Sequence, residues 1–159
     1  MLEKVKADDF SYIYNLYMHP EVNPYLLYEM MDEEIFKPIF DDLLREEVLY
    51  LYKEGSETLG MCKLIRQKHR NEHIVYLGGL AVHPDYFGKG FGRKMLLEII
   101  DFCKKREFSR IELSVAVHNQ KAIQLYEDIG FTKEGVLKNY TYLKSKDQFI
   151  DEILMSNLI

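Results

Sequence analysis

The segment Ile74–Val82 (IVYLGGLAV) constrains the fold more than any other stretch of the chain. A near-continuous apolar run of this length marks a strand buried on both faces, which places it centrally in a sheet. Its Gly78-Gly79 pair predicts a bulge or a close approach of another backbone. Pro84 stops the strand, a glycine-rich turn follows, and Gly92–Arg106 then carries Leu96, Ile99, Ile100 and Cys103 at helical spacing. Arg110–Val117 alternates, with Ile111, Leu113, Val115 and Val117 on one face and Arg110, Glu112, Ser114 and Ala116 on the other. The result is strand, helix, strand.

The flanking sequence supplies more of both element types. Residues 2–6 alternate as a short edge strand, and Asp8 or Asp9 caps a helix through about His19, ended by Pro20 and Pro24. A second helix runs from Asp32 to Glu47 with Ile35, Ile39, Leu43 and Leu44 on its apolar side. Val48–Lys53 and Thr58–Ile65 form a hairpin about Glu54-Gly55-Ser56. Asn119 caps a helix to Ile129, Gly130 ends it, and strands at Phe131–Leu137 and Asp147–Met155 close the chain around Lys144-Ser145-Lys146.

A chain of 159 residues with 47% hydrophobic and 30% charged side chains fits one compact domain over residues 1–159 and excludes a disordered or rod-like chain. No apolar run approaches the roughly 20 residues a bilayer needs, and MLEKVKADDF lacks a signal-peptide core, so the expectation is a cytoplasmic protein with no membrane partner. Cys62 and Cys103 lack metal-ligand spacing and read as reduced core thiols. The net charge of −5 argues against a general nucleic-acid binder. Residues 1–60 carry 5 basic and 14 acidic side chains, net −9, whereas residues 88–110 carry 7 basic and 3 acidic, net +4. This asymmetry fits two surfaces with different partners, or equally the solvated faces of helices.

Two constellations bear chemistry. In Tyr86-Phe87-Gly88-Lys89-Gly90-Phe91-Gly92-Arg93, glycines at alternate positions let successive N–H groups point into one concavity at a helix N-terminus, a phosphate site to which Lys89, Arg93 and Lys94 add charge. A tight turn that binds nothing is the plainer reading of the same residues. Downstream, Asn119 and Tyr126 are two helical turns apart, with Ala122 and Ile129 completing the row. A capping Asn and a core-edge Tyr would look the same.

Together the two resemble the GCN5-related N-acetyltransferase (GNAT) family from Leu80 to Phe131. The family's [QR]-x-x-G-x-[GA] signature falls on Phe87-Gly88-Lys89-Gly90-Phe91-Gly92, departing at Phe87, for which Lys89 or Arg93 compensates. Its N-x-x-A-x-x-x-Y-x-x-x-G-F element matches at Asn119, Ala122, Tyr126, Gly130 and Phe131. The resemblance implies an α/β (α+β) fold: a mixed, mostly antiparallel central sheet of about seven strands, about four flanking helices, and a splayed parallel pair at strands 4 and 5. It implies acetyl-CoA as co-substrate without a metal, bound by Leu80, Ala81, Val82, Phe87 to Arg93, Asn119, Ala122 and Tyr126. Leu80-Ala81-Val82 would pair with the pantetheine arm, and a backbone N–H near Val82 would meet the oxyanion.

The implied reaction is direct acetyl transfer to a primary amine in a ternary complex. The acceptor is a small molecule such as an amino acid or polyamine, or a protein N-terminus. Tyr126 is the expected general acid for the departing thiolate. Where family members carry a glutamate on the fourth strand this chain has Tyr76, and a common fifth-strand site is Ser114, so Glu112, acting through water, is the first candidate base, with His73 and His118 as alternates. A strand charge paired with Arg110 is the plain alternative for Glu112. The acceptor groove is expected at Tyr25, Tyr28, Glu29 and Tyr140, and the acidic first third favours cationic or neutral acceptors. A homodimer is compatible with the family. An acyl-CoA-binding sensor without catalysis is the alternative function.

Overall fold

The structure, a computed structural model, describes residues 1–159. The chain runs β1 (Leu2–Lys4), α1 (Phe10–Tyr17), α2 (Glu33–Arg45), β2 (Leu49–Glu54), β3 (Glu57–Arg66), β4 (Ile74–Val82), α3 (Phe91–Lys104), β5 (Arg110–Ala116), α4 (Gln120–Asp128), β6 (Thr132–Leu143) and β7 (Gln148–Leu158). Strand order is β1-β2-β3-β4-β5-β7-β6, with β4 in the middle. The β4–β5 pair is parallel, whereas β1–β2, β2–β3, β5–β7 and β6–β7 are antiparallel. The mixed, mostly antiparallel α/β fold expected from the sequence is the fold observed. No helix is long and apolar enough to cross a membrane.

The residues group into two compact units, Met1–Leu64 with Gly79–Met95 and Ile65–Gly78 with Leu96–Ile159. In the first, α1 and α2 build an aromatic core: Phe36 lies 5.4 Å from Tyr17, and Phe40 meets Phe10 edge-on at 5.2 Å. Rings bury more apolar area than aliphatic chains, so the row turned inward is Phe36, Phe40 and Leu43. The expected row of Ile35, Ile39 and Leu44 is therefore displaced, and Ile35 is 60% exposed. Asp9 stands at the N-cap position of α1 but makes no capping side-chain bond. Asp9 instead accepts the Lys6 amide at 2.7 Å, closing the short turn Ala7–Asp9, and α1 starts after it at Phe10. The β2–β3 hairpin turns at Gly55, in the left-handed region at φ 60.

In the second unit, Val75, Leu77, Ile111, Leu113, Val115 and Met155 of the strands are buried with Leu96, Ile99 and Cys103 of α3 and Ile123 of α4. Both cysteines are free and buried. Here β4 corrects the reading of a strand buried on both faces: Val75 and Leu77 are buried, while Tyr76 and Gly78 are only partly so. The face of Tyr76 is shared with Glu112, its partner in register, and with Ser114, so it is polar. Strand β6 extends well past Leu137, because a register shift between Leu137 and Thr141 absorbs the Lys138-Asn139 interruption, with Asn139 at φ 51.

Within the first unit β3 and β4 come close. A Cβ on Gly60 would stand 2.4 Å from the Ala81 carbonyl oxygen, a backbone atom that cannot rotate away. Gly60→Ala should therefore cost on the order of 1–3 kcal/mol by forcing the strands apart. A lowered urea midpoint at unchanged slope is the expected result, and a midpoint equal to wild type would contradict the close approach.

Candidate active site

Strand β4 delivers the chain to the glycine-rich turn. The His83 amide donates to Leu59 of β3 at 2.7 Å. Since strand amides alternate between edges, the Val82 amide is turned to the opposite edge. His83-Pro84 then opens a single helical turn, closed by the Tyr86 and Phe87 amides onto His83 and Pro84. Gly88 and Gly90 follow at φ 73 and φ 78, both in the left-handed region, and nothing lies within 4 Å of a Cβ built on either.

The consequence is an open run of donors. From Gly88 to Arg93 no amide donates to a protein carbonyl; the first that does is Lys94, onto Gly90 at 3.2 Å. These are the orphan N–H groups of the α3 N-terminus, extended backwards by the two glycines. The surrounding cations differ in freedom. Lys89 donates to the Asp85 carbonyl at 2.8 Å and lies over the Tyr86 ring, and Lys94 reaches Glu54 at 3.4 Å. Arg93 is exposed and has no protein partner, so it is the side chain available to an anion. Phe87 projects into solvent.

In the second unit, Asn119 caps α4, its Oδ1 accepting the Ala122 amide at 3.3 Å. Both residues thus serve the geometry of the helix that carries Tyr126. The Tyr126 ring packs on Phe131 at 5.8 Å, and burial, reinforced by the Tyr76 phenol, pushes its hydroxyl up to about 12. It is a protonated phenol at neutral pH.

Tyr76, where the resemblance points to a fourth-strand glutamate, and Ser114, at the common fifth-strand site, are joined by a hydrogen bond of 2.7 Å. The sequence named both positions without showing that they meet. Burial raises the Tyr76 phenol, and Tyr140 and Glu152 push the same way while Ser114 opposes. Glu112 is held by Arg110, whose Nε donates to Oε1 at 2.7 Å; the same guanidinium reaches Glu134 at 2.7 Å, and Ser156 donates to Glu134. Arg110 holds the Glu134 carboxyl below its usual range. Glu112 therefore sits in the ion pair that was the plain alternative for it. His73 and His118 are not drawn into this network, His73 contributing a backbone carbonyl to Ser109.

Of the expected acceptor residues, Tyr25 and Tyr140 are exposed at 59% and 55%, and Tyr28 and Glu29 are half-buried. Asn23 pins the intervening loop by donating to the Tyr17 and Tyr28 carbonyls. One residue of this region, Lys63, was missed, and Tyr17 lies beside it. Tyr17 is buried, and its hydroxyl has no hydrogen-bond partner. Lys63 is 8% exposed on β3, its ammonium 5.8 Å from the centre of the Tyr28 ring. The signal for Lys63 was present: a lone lysine inside the apolar run Leu59–Ile65.

The profile of the Acetyltransferase (GNAT) family matches residues 7–131, a span holding β4, the glycine turn, α3, β5 and α4. The chain belongs to the acetyltransferase (GNAT) family. It is therefore placed among acetyl-CoA-dependent acyltransferases. This GNAT chain is similar to spermidine N(1)-acetyltransferase of Vibrio cholerae, 26% identical over 155 residues, which cover 92% of this chain and 87% of that protein. Over 64 residues, 40% of this chain and 43% of the other, it is 41% identical to the ribosomal protein bS18-alanine N-acetyltransferase of Escherichia coli K12. Among solved structures it shares the fold of spermidine N-acetyltransferase from Vibrio cholerae in complex with CoA and spermine, at a TM-score of 0.85 and 22% identity over 99% of this chain and 94% of that one.

The unpartnered Tyr17 hydroxyl makes a prediction about stability. A buried polar group without a partner costs about 1–3 kcal/mol, so Tyr17→Phe should be neutral or stabilising by up to that amount. A melting temperature several degrees below wild type would show that the hydroxyl is bonded after all.

Proposed function

We propose that this GNAT chain, as one domain over residues 1–159, moves an acetyl group from acetyl-CoA directly to a primary amine. The observation that carries this reading is the run of six amides, Gly88 to Arg93, open at the start of α3 and kept open by positive φ at Gly88 and Gly90. A pyrophosphate suits such donors, which are fixed before it arrives, and Arg93 adds the mobile charge that Phe87 does not supply. The amide-bearing pantetheine arm is assigned to Leu80-Ala81-Val82, where the Val82 N–H, turned away from β3, is the donor proposed for the tetrahedral oxyanion.

The chemistry divides into three proton and charge problems. An alkyl amine near pKa 10 must lose a proton before it attacks. Glu112 is proposed to accept it through water on its Oε2, the oxygen that Arg110 leaves unbonded. The amine nitrogen then bonds to the acetyl carbon, and the C–S bond breaks as the tetrahedral intermediate collapses. The departing thiolate needs a proton, and Tyr126 holds one at neutral pH. The residues proposed to meet the acceptor are Tyr25, Tyr28 and Glu29 of the first unit and Tyr140 of the second, with an amino acid, a polyamine or a peptide N-terminus as the amine. The likeness to relatives named for spermidine and for an N-terminal alanine supports that range.

Release of free thiol from acetyl-CoA across an amine panel tests the function. Turnover with at least one primary amine is expected; coenzyme A binding without thiol release would instead support the sensor reading. Tyr126→Phe removes only the hydroxyl, so kcat should fall something like 10²–10⁴-fold at unchanged coenzyme A affinity. Because the phenol stays protonated until about pH 12, the wild-type rate should show no limb from Tyr126 between pH 6 and 9. Wild-type turnover in Tyr126→Phe with chemistry rate-limiting would reduce the phenol to packing.

A further inference from the structure

Tyr17, Tyr28, Lys63 and Gly79 meet within the first unit. The Tyr17 hydroxyl is the buried side-chain polar atom that has no hydrogen-bond partner. It lies 3.0 Å from the point where a Cβ on Gly79 would stand, and the Lys63 Cβ lies 3.7 Å from the same point. Gly79 is at φ 55, so a side chain is disfavoured there and the position stays bare. The Tyr28 ring covers both neighbours: it meets Tyr17 edge-on at 5.3 Å and takes the Lys63 ammonium on its face at 5.8 Å. Lys63 is as buried as the core around it, yet an aromatic face rather than a carboxylate is its partner. Glu46 acts on it only at a distance, too weakly to offset the burial that pulls its amine below the usual lysine value.

Two donors, one cationic, thus border the Tyr28 ring beside Gly79 of β4, with no acceptor supplied by the chain. Buried donors without acceptors are costly, and a ligand oxygen that answers both would remove that cost. We propose that Tyr17 and Lys63 bind the carboxylate of the acceptor, which makes the substrate class an amine that also bears a carboxylate, an amino acid rather than a polyamine. The proposal rests on the N-acetyl transfer reading above. A polyamine offers neither donor an acceptor atom and brings charge of the same sign as Lys63. An amino acid is neutral overall, or cationic in the case of lysine, so the acidic first third of the chain does not oppose it. The half-buried Tyr28 is the residue that moves to admit the ligand.

The test compares amines that differ by the carboxylate alone: lysine with cadaverine, and phenylalanine with phenethylamine. Thiol release from acetyl-CoA is measured in wild type, Tyr17→Phe and Lys63→Met. In wild type kcat/KM should favour the carboxylate-bearing member of each pair, and Lys63→Met should collapse that ratio tenfold or more, Tyr17→Phe by less. A wild-type preference for cadaverine and phenethylamine, or variants that leave the ratio unchanged, would overturn the proposal. Calorimetry on the coenzyme A-loaded protein, with N-acetylphenylalanine against N-acetylphenethylamine, reads the same site without turnover. If no amine is acetylated, the transferase reading fails, and carboxylate-selective binding that Lys63→Met abolishes still upholds the anion site. Equal binding of the two compounds overturns it.

Discussion

The course of the β4 backbone is the constraint on which the other features depend. At one end it keeps a parallel register with β5 for only three residues, Ile74 to Tyr76, while β5 goes on to pair with β7 as far as Ala116. At the other it is pressed against β3 where Gly60 faces the Ala81 carbonyl. Between them Gly79 takes a left-handed conformation that redirects the strand. Small residues at 60 and 79 are what let the strand approach, bend and still hydrogen-bond; bulk at either position would move the Val82 amide and the turn behind it.

Electrostatics follow from the polar face of the second unit. Arg110 bridges Glu112 and Glu134, so its single positive charge screens much of the repulsion between two carboxylates on that face. Tyr76 and Ser114 satisfy each other, which leaves Tyr126 as the phenol on α4 whose proton is held by burial rather than by an acceptor. In the first unit Lys63 is answered by an aromatic ring and Lys89 by a carbonyl oxygen, while Lys94 meets the Glu54 carboxylate.

Much of this was legible in the sequence, and the exceptions have physical causes. Local rules found β4, the hairpin at Gly55, the Asn119 cap and the glycine turn, because each depends on residues near in sequence: proline stops, glycines at positive φ, a side chain bonding three residues on. The buried row of α2 was misjudged since periodicity cannot tell Ile35 from Phe36 until the aromatic rings of α1 are there to receive one of them. The Tyr76–Ser114 bond, the Arg110–Glu134 and Ser156–Glu134 bonds and the Tyr17–Lys63 pair join residues 22 to 46 positions apart, a distance over which no spacing rule operates. Only the misplaced polarity of Lys63 within an apolar strand hinted at one of them.

The central claim, that the amides of Gly88 to Arg93 form the phosphate cradle, is tested most directly by calorimetric titration of coenzyme A into wild type and Gly90→Val. Valine at φ 78 is strained by about 1–3 kcal/mol and puts a branched side chain where the phosphates would lie. Wild type should bind coenzyme A, and the folded variant should bind at least tenfold more weakly. Equal affinity in a variant whose circular dichroism and melting behaviour match wild type would contradict the account.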